Sequence, residues 1–171
     1  MAQYRDHLPQ LDGAFFLTDG GIETTLIFHE GLDLPYFAAF VLLRDGEGYA
    51  ALQRYFRTYA DLARRYGVGF ILESATWRAT PDWADKLGYS TDELAAANRR
   101  AIDLLAGLRE EHAASPAPLV IRGCVGPRGD GYNPTALMSV GEARRYHQAQ
   151  IATFSQTEAD MVTAITMNYA E

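Results

Sequence analysis

Three short stretches hold the residue types that can do chemistry: Asp19-Gly20-Gly21-Ile22-Glu23-Thr24-Thr25, Glu73-Ser74-Ala75-Thr76-Trp77-Arg78-Ala79-Thr80 and Arg122-Gly123-Cys124-Val125-Gly126-Pro127-Arg128-Gly129. Each follows a short apolar run. Asp19 ends the run Phe15-Phe16-Leu17-Thr18, where a lone carboxylate is costly unless paired or hydrogen-bonded. It reads either as a ligand for a cationic group, such as the ammonium of an amino acid, or as a helix N-cap or Asp-Gly turn. Spacing alone slightly favours the second. Gly20-Gly21 lacks the frame of a phosphate-binding glycine loop. Glu73 can serve as a general acid or base, but a solvated strand end or a pairing with Arg78 is the better-supported reading. Trp77 suits a pocket wall, but a large aromatic after a strand is more often ordinary core. The Gly123–Pro127 stretch needs close backbone approach, as a ligand loop or a tight turn does. Cys124 has no base nearby in sequence to stabilise a thiolate, so it reads as a buried structural cysteine. His147 reads as a capped or surface residue of a helix, and His7, His29 and His112 show no metal-ligand spacing.

These stretches need elements to position them. Tyr49, Leu52, Phe56, Tyr59, Ala63 and Tyr66 follow steps of three and four, one helical stripe over 47–66. Gly67 ends it, and Val68 to Leu72 reads as a buried strand. Ser90-Thr91-Asp92-Glu93 has the form of a capping box, opening a helix with Leu94, Ala97, Ala101, Leu104 and Leu108 on one side. Leu119-Val120-Ile121 is a third strand. Ser139-Val140-Gly141-Glu142 opens another helix, with Ala143, Tyr146, Ile151 and Phe154 expected inward. Met161 to Thr166 is a fourth strand. Strands alternating with helices imply right-handed crossovers and a parallel sheet. The carboxyl ends of such strands share one face, where α/β folds gather their sites. Two architectures satisfy the pattern: an open doubly wound sheet, or part of a (β/α)8 barrel. A closed barrel needs eight units and typically about 250 residues, so four strands make at most half of one, with open edges that want a partner.

The bulk properties narrow the function classes. The chain has 171 residues, of which 48% are hydrophobic and 22% charged, an ordinary globular composition. The net charge of −7 disfavours a nonspecific nucleic-acid binder or a polybasic membrane-surface protein. A single cysteine rules out an internal disulfide and a multi-cysteine zinc site within these residues. No apolar run approaches the roughly 18–20 residues that span a bilayer, and the amino terminus has no signal-peptide core. The default reading is a soluble, cytoplasmic protein.

Taken together, the stretches resemble the homocysteine S-methyltransferase family, whose members share a homocysteine-binding (β/α)8 barrel. Leu17-Thr18-Asp19-Gly20-Gly21-Ile22-Glu23-Thr24 is similar to its opening "L-x-D-G-G/A" strand end. Ala75-Thr76-Trp77-Arg78-Ala79-Thr80-Pro81 resembles its second-strand "T-x-aromatic-x-A-T/S" segment, and Gly123-Cys124-Val125-Gly126-Pro127-Arg128-Gly129 its "G-S-V/I-G-P-x-G" loop. Tyr146-His147-Gln148-Ala149-Gln150 matches an aromatic-His helix start, and Ala159-Asp160-Met161-Val162 an "A-D-L-L" strand opening. The resemblance runs from about residue 14 to the end. It implies that residues 1–171 form the N-terminal half of such a barrel, with the second half outside this chain.

The resemblance also implies a chemistry: a methyl group passes from a donor such as S-methylmethionine to the thiol of homocysteine, giving methionine. The family's zinc makes that thiol a thiolate. Asp19 would contact the substrate amine. Gly20 and Gly21 would let the backbone approach, Thr76 and Trp77 would line the pocket, and Gly126 would shape the third loop. Two departures stand out. The family's zinc ligands are cysteines of its "G-x-N-C" and "G-G-C-C" segments, which this sequence lacks, and Cys124 falls at a serine position. The family's fourth strand ends in "E-T", whose Glu shares the ammonium with the first-strand Asp, whereas Ile165-Thr166 stands here. The alternative is a divergent or non-catalytic half-barrel module that pairs with a complementary half or with itself. With one cysteine and four scattered histidines, the chain is expected to bind no stoichiometric zinc at neutral pH. Elemental analysis of chelator-washed protein checks this, and about one zinc per chain is the contrary result, since a catalytic site takes three convergent protein ligands.

Overall fold

In the computed structural model, which describes residues 2–134 and 137–169, four strands form one sheet in the order β1-β2-β3-β4. They are β1 (Phe16–Thr18), β2 (Gly69–Glu73), β3 (Leu119–Val125) and β4 (Met161–Ala164), and every neighbouring pair is parallel. The sequential order excludes a doubly wound sheet, whose strand order reverses. A short helix α1 (Ile22–Thr24), with a wider turn from Thr25 to His29, follows β1. The main helices are α2 (Gly46–Tyr66), α3 (Pro81–Lys86), α4 (Thr91–Glu111) and α5 (Val140–Ser155). No helix among the described residues is long and apolar enough to cross a membrane.

Local chemistry sets the helix ends. The Asp45 carboxylate accepts from the Gly48 N–H at 2.7 Å at the start of α2, and Gly67 closes that helix in the left-handed region at φ 63°. Ser90 and Glu93 form the expected capping box on α4. Glu142 accepts from the Ser139 N–H at 2.9 Å on α5. The sequence reading overlooked α3, which Pro81 opens at its first turn.

Alternate strand residues serve opposite faces. Leu17, Phe70, Leu72, Leu119, Ile121 and Val125 join Leu52, Phe56, Leu104, Leu105 and Phe154 of the helices in one apolar cluster. The other face carries Glu73, Arg122 and Cys124. Three expectations need correction. β3 continues through Gly123, Cys124 and Val125, which read as loop because glycine usually punctuates. Here a Cβ on Gly123 would lie 2.6 Å from the Phe154 ring, so the glycine admits the helix rather than a turn. On α5 the inward residues are Gln150 and Phe154, and Ile151 is 44% exposed. Tyr66, at the end of α2, is 66% exposed, because the stripe runs out where Gly67 turns the chain away.

The amino-terminal ends of the strands are tied together by Asp160, whose side chain is fully buried. One carboxylate oxygen accepts from the Gln3 and Tyr4 N–H groups, both at 2.8 Å. The other accepts from the Ile121 N–H at 2.9 Å and from Arg109 at 2.8 Å. Arg5 reinforces the arm by donating to the Ser155, Thr157 and Ala159 carbonyls. Replacing Asp160 with Ala leaves Arg109 and three N–H donors without this acceptor, and is expected to cost about 3–5 kcal/mol. Chemical denaturation against wild type measures the loss, and a change under about 1 kcal/mol would refute this assignment.

Candidate functional site

At the carboxyl ends of the strands lies a cavity of about 200 Å³. Its lining brings Asp19, Gly21, Ile22 and Glu23 from the β1 end together with Glu73, Ser74 and Trp77 from the β2 end. Cys124 of β3 and Ile165 and Thr166 beyond β4 close it, with Tyr132 at the rim. Three carboxylates line this cavity and no lysine, arginine or histidine does.

Each carboxylate has a different environment. The Tyr55 hydroxyl of α2 donates to Asp19 at 2.9 Å. Burial pushes the Asp19 carboxyl above its ordinary value, against the Tyr55 hydrogen bond and the field of Arg122. Burial raises the Glu23 carboxyl too, and Asp19 and Glu73 nearby add to the rise. Glu73 also titrates high from burial, opposed chiefly by Arg122. Glu73 and Arg122 are partners in strand register and form an ion pair at 2.6 Å. That register, not visible in sequence, replaces the expected Glu73–Arg78 pairing. Arg78 is stacked between Trp77 and Trp83 at 4.1 and 4.2 Å and donates to the Gly129 carbonyl at 2.7 Å.

Trp77 forms a wall of the cavity and reaches β4, its indole N–H donating to the Thr166 hydroxyl at 2.9 Å. Gly126 sits behind Trp77: a Cβ there would come within 2.1 Å of the Trp77 carbonyl oxygen. Thr76 is also behind the wall, fully buried. Its hydroxyl donates to the Cys124 carbonyl at 2.8 Å and contacts the Ser74 hydroxyl at 2.6 Å. The Ser74 hydroxyl oxygen accepts from the Cys124 N–H at 2.9 Å. The donors run one way: Ser74 to Thr76, Thr76 to the Cys124 carbonyl, and the Cys124 N–H back to Ser74. Gln150 of α5 extends this circuit to the Thr76 and Cys124 carbonyls and to Asn98 of α4. Gly21 lines the cavity in the left-handed region at φ 63°. Gly20 lies outside it, its carbonyl accepting from Tyr55 at 3.2 Å and Tyr59 at 3.4 Å. Of the six residues singled out in sequence, Asp19, Gly21 and Trp77 line the cavity, while Gly20, Thr76 and Gly126 support it. Sequence reasoning missed Tyr55, Glu23 and Gln150. Glu23 stood in the first chemistry-bearing stretch without being assigned a role, and Gln150 left a signal as a polar residue four positions before the inward Phe154.

The family model for homocysteine S-methyltransferase matches residues 16–171. The chain belongs to that family. Among solved structures, it is similar to the homocysteine methyltransferase MmuM from Escherichia coli. The metallated form superposes with a TM-score of 0.73 at 22% identity, covering 93% of this chain and 56% of that one. The oxidized form gives 0.70 at 20% identity, with 94% and 55% covered. The chain thus spans little more than half the length of these structures, and its sheet is a partial (β/α)8 barrel. No curated protein matches.

The residues present do not fit the family's zinc. Cys124 is 2% exposed, and burial pushes its thiol well above the ordinary cysteine range, which disfavours the thiolate a metal needs. Among the described residues no three histidine, cysteine, aspartate or glutamate side chains converge as a metal site.

Two outcomes follow from this geometry. Replacing Gly126 with Ala is expected to cost about 1–3 kcal/mol by overpacking, and to change the tryptophan emission as Trp77 is displaced. Denaturation followed by fluorescence tests both. Because the folded state raises the Glu23 carboxyl above its ordinary 4.5, its stabilising share is present below that value and is lost as the pH rises through the folded one. Glu23→Gln should therefore raise the melting temperature at neutral pH and lose that advantage near pH 4, which paired thermal melts resolve.

Proposed function

We propose that this chain supplies the substrate-amine side of a homocysteine S-methyltransferase, in which a donor's methyl group passes to the homocysteine thiol. The single observation that carries the reading is the cavity at the strand ends, where Asp19 and Glu23 stand without an ion-pair partner among the described residues. A low-dielectric pocket with excess negative charge favours a bound cation, and an amino acid's ammonium satisfies both carboxylates. The residues around Asp19 bind and orient the amino acid. Thiol activation lies with groups other than these residues, since Cys124 is buried and its thiol is held protonated. The cavity wall of Ile165 and Trp77 gives the methylene chain an apolar surface.

A second reading, a half-barrel module that pairs with a complementary half, draws on one observation. Among the described residues the outer strands β1 and β4 each have a single strand neighbour, which leaves each with one edge for a partner strand, and Val162 on β4 is 40% exposed. Sedimentation at several concentrations, alone and with a complementary half, tests it, and a monomer throughout would remove it.

The amine-binding reading is tested at Asp19. A charge-assisted hydrogen bond is worth about 1.5–3 kcal/mol, or about 10- to 150-fold in affinity. Asp19→Asn is therefore expected to weaken homocysteine binding by about that factor with the fold intact. Calorimetric titration of both forms decides, and equal affinities would remove the role.

A further inference from the structure

The strongest unexplained feature beside the cavity is a tyrosine that reaches it from far along the chain. Tyr55 lies on α2, separated from Asp19 by 36 positions. Its ring is only 4% exposed, packed against Phe56 and Tyr59 at centroid distances of 5.2 Å each. The hydroxyl emerges from this aromatic cluster at the end of β1, 2.9 Å from one Asp19 carboxylate oxygen and 3.2 Å from the Gly20 carbonyl. We propose that Tyr55 is a positioning residue for amino-acid recognition: it holds one Asp19 oxygen so that the other faces the cavity for the substrate ammonium. The proposal rests on the amine-binding reading of Asp19.

The chemistry favours this division of labour. Burial, together with the neighbouring Asp19, keeps the Tyr55 phenol protonated by pushing its ionisation upward, so it remains a donor throughout the physiological range. A carboxylate has two oxygens with several acceptor sites, and a fixed donor on one of them sets the direction of the other. That donor also opposes the burial that drives Asp19 towards its neutral form. A rigid aromatic packed in the helix layer supplies the orientation that a loop carboxylate lacks. The other charged groups acting on Asp19 and its neighbours are Glu23 on α1, Glu73 on β2, Arg78 beyond β2 and Arg122 on β3, and none of them replaces the tyrosine hydrogen bond.

The test compares two thiols, L-homocysteine and 4-sulfanylbutanoate, which lacks only the amino group. Each is titrated into purified wild type, Tyr55→Phe, Asp19→Ala and the double variant, well below each protein's melting midpoint. The expected result is that wild type prefers homocysteine, that Tyr55→Phe lowers this preference by about 2- to 10-fold, and that it lowers nothing further once Asp19 is Ala. A merely structural role would change both thiols alike. Discrimination by wild type that Tyr55→Phe leaves intact overturns the proposal and spares the Asp19 reading. Equal binding, or no binding, of the two thiols by wild type overturns both. Should Tyr55→Phe fail to fold, proton NMR of wild type carries the test. The Tyr55 hydroxyl proton should exchange slowly and shift on Asp19→Asn, and a hydroxyl in free exchange with water overturns the proposal.

Discussion

The buried circuit of Ser74, Thr76, Cys124 and Gln150 is the constraint on which the rest of the site depends. Loops at the ends of parallel strands carry backbone groups that the ladder no longer satisfies, and a buried one left unpaired costs about 1–3 kcal/mol. Two hydroxyls and one amide satisfy the carbonyls of Thr76 and Cys124 and the Cys124 N–H. The β2 loop is thereby fastened to β3, and through Gln150 and Asn98 to both covering helices. With its backbone fixed, Trp77 can stand as a wall, held on its far side by Thr166 and packed so tightly on Gly126 that no side chain fits between them.

Against this firm backing stand the carboxylates. Asp19, Glu23 and Glu73 are all driven towards neutrality by burial, which opposes stability at neutral pH, and among the described residues only Glu73 has an ion-pair partner. Conflict of this kind, with local chemistry working against the fold, is characteristic of sites shaped for a ligand. A bound cation would relieve it, which is the physical basis of the amine-binding role proposed above. With Ile165 where a carboxylate would have stood by family resemblance, Glu23 is the second acid of the cavity without an ion-pair partner among the described residues.

Much of the fold was legible because periodicity and caps are local. Leu94, Ala97, Ala101, Leu104 and Leu108 face inward as their spacing required, and the strand–helix alternation yielded the parallel order. What escaped was non-local or contrary to local habit. Gly123 reads as a turn but belongs to a strand, because its missing side chain admits the Phe154 ring. The Glu73–Arg122 pair depends on register, and register is set by the whole sheet. At the site, Asp19 and Trp77 were readable from strand ends and family-like motifs. Tyr55 was not, since it falls outside the stripe read over 47–66 and its hydroxyl finds work only once α2 has packed.

The Asp160 cluster bears on the order in which the chain acquires its structure. Its carboxylate joins residues 157 positions apart in sequence, a separation whose closure is slow and entropically costly. On a ribosome, the amino-terminal arm is made well before its anchor. Until residue 160 emerges, Gln3, Tyr4 and Arg5 have no docking place, and the Ile121 N–H on the edge of a three-stranded sheet lacks its acceptor. The nascent sheet thus carries an open edge beside β3 until the fourth strand is made, and the arm records, by its late docking, that this strand has arrived.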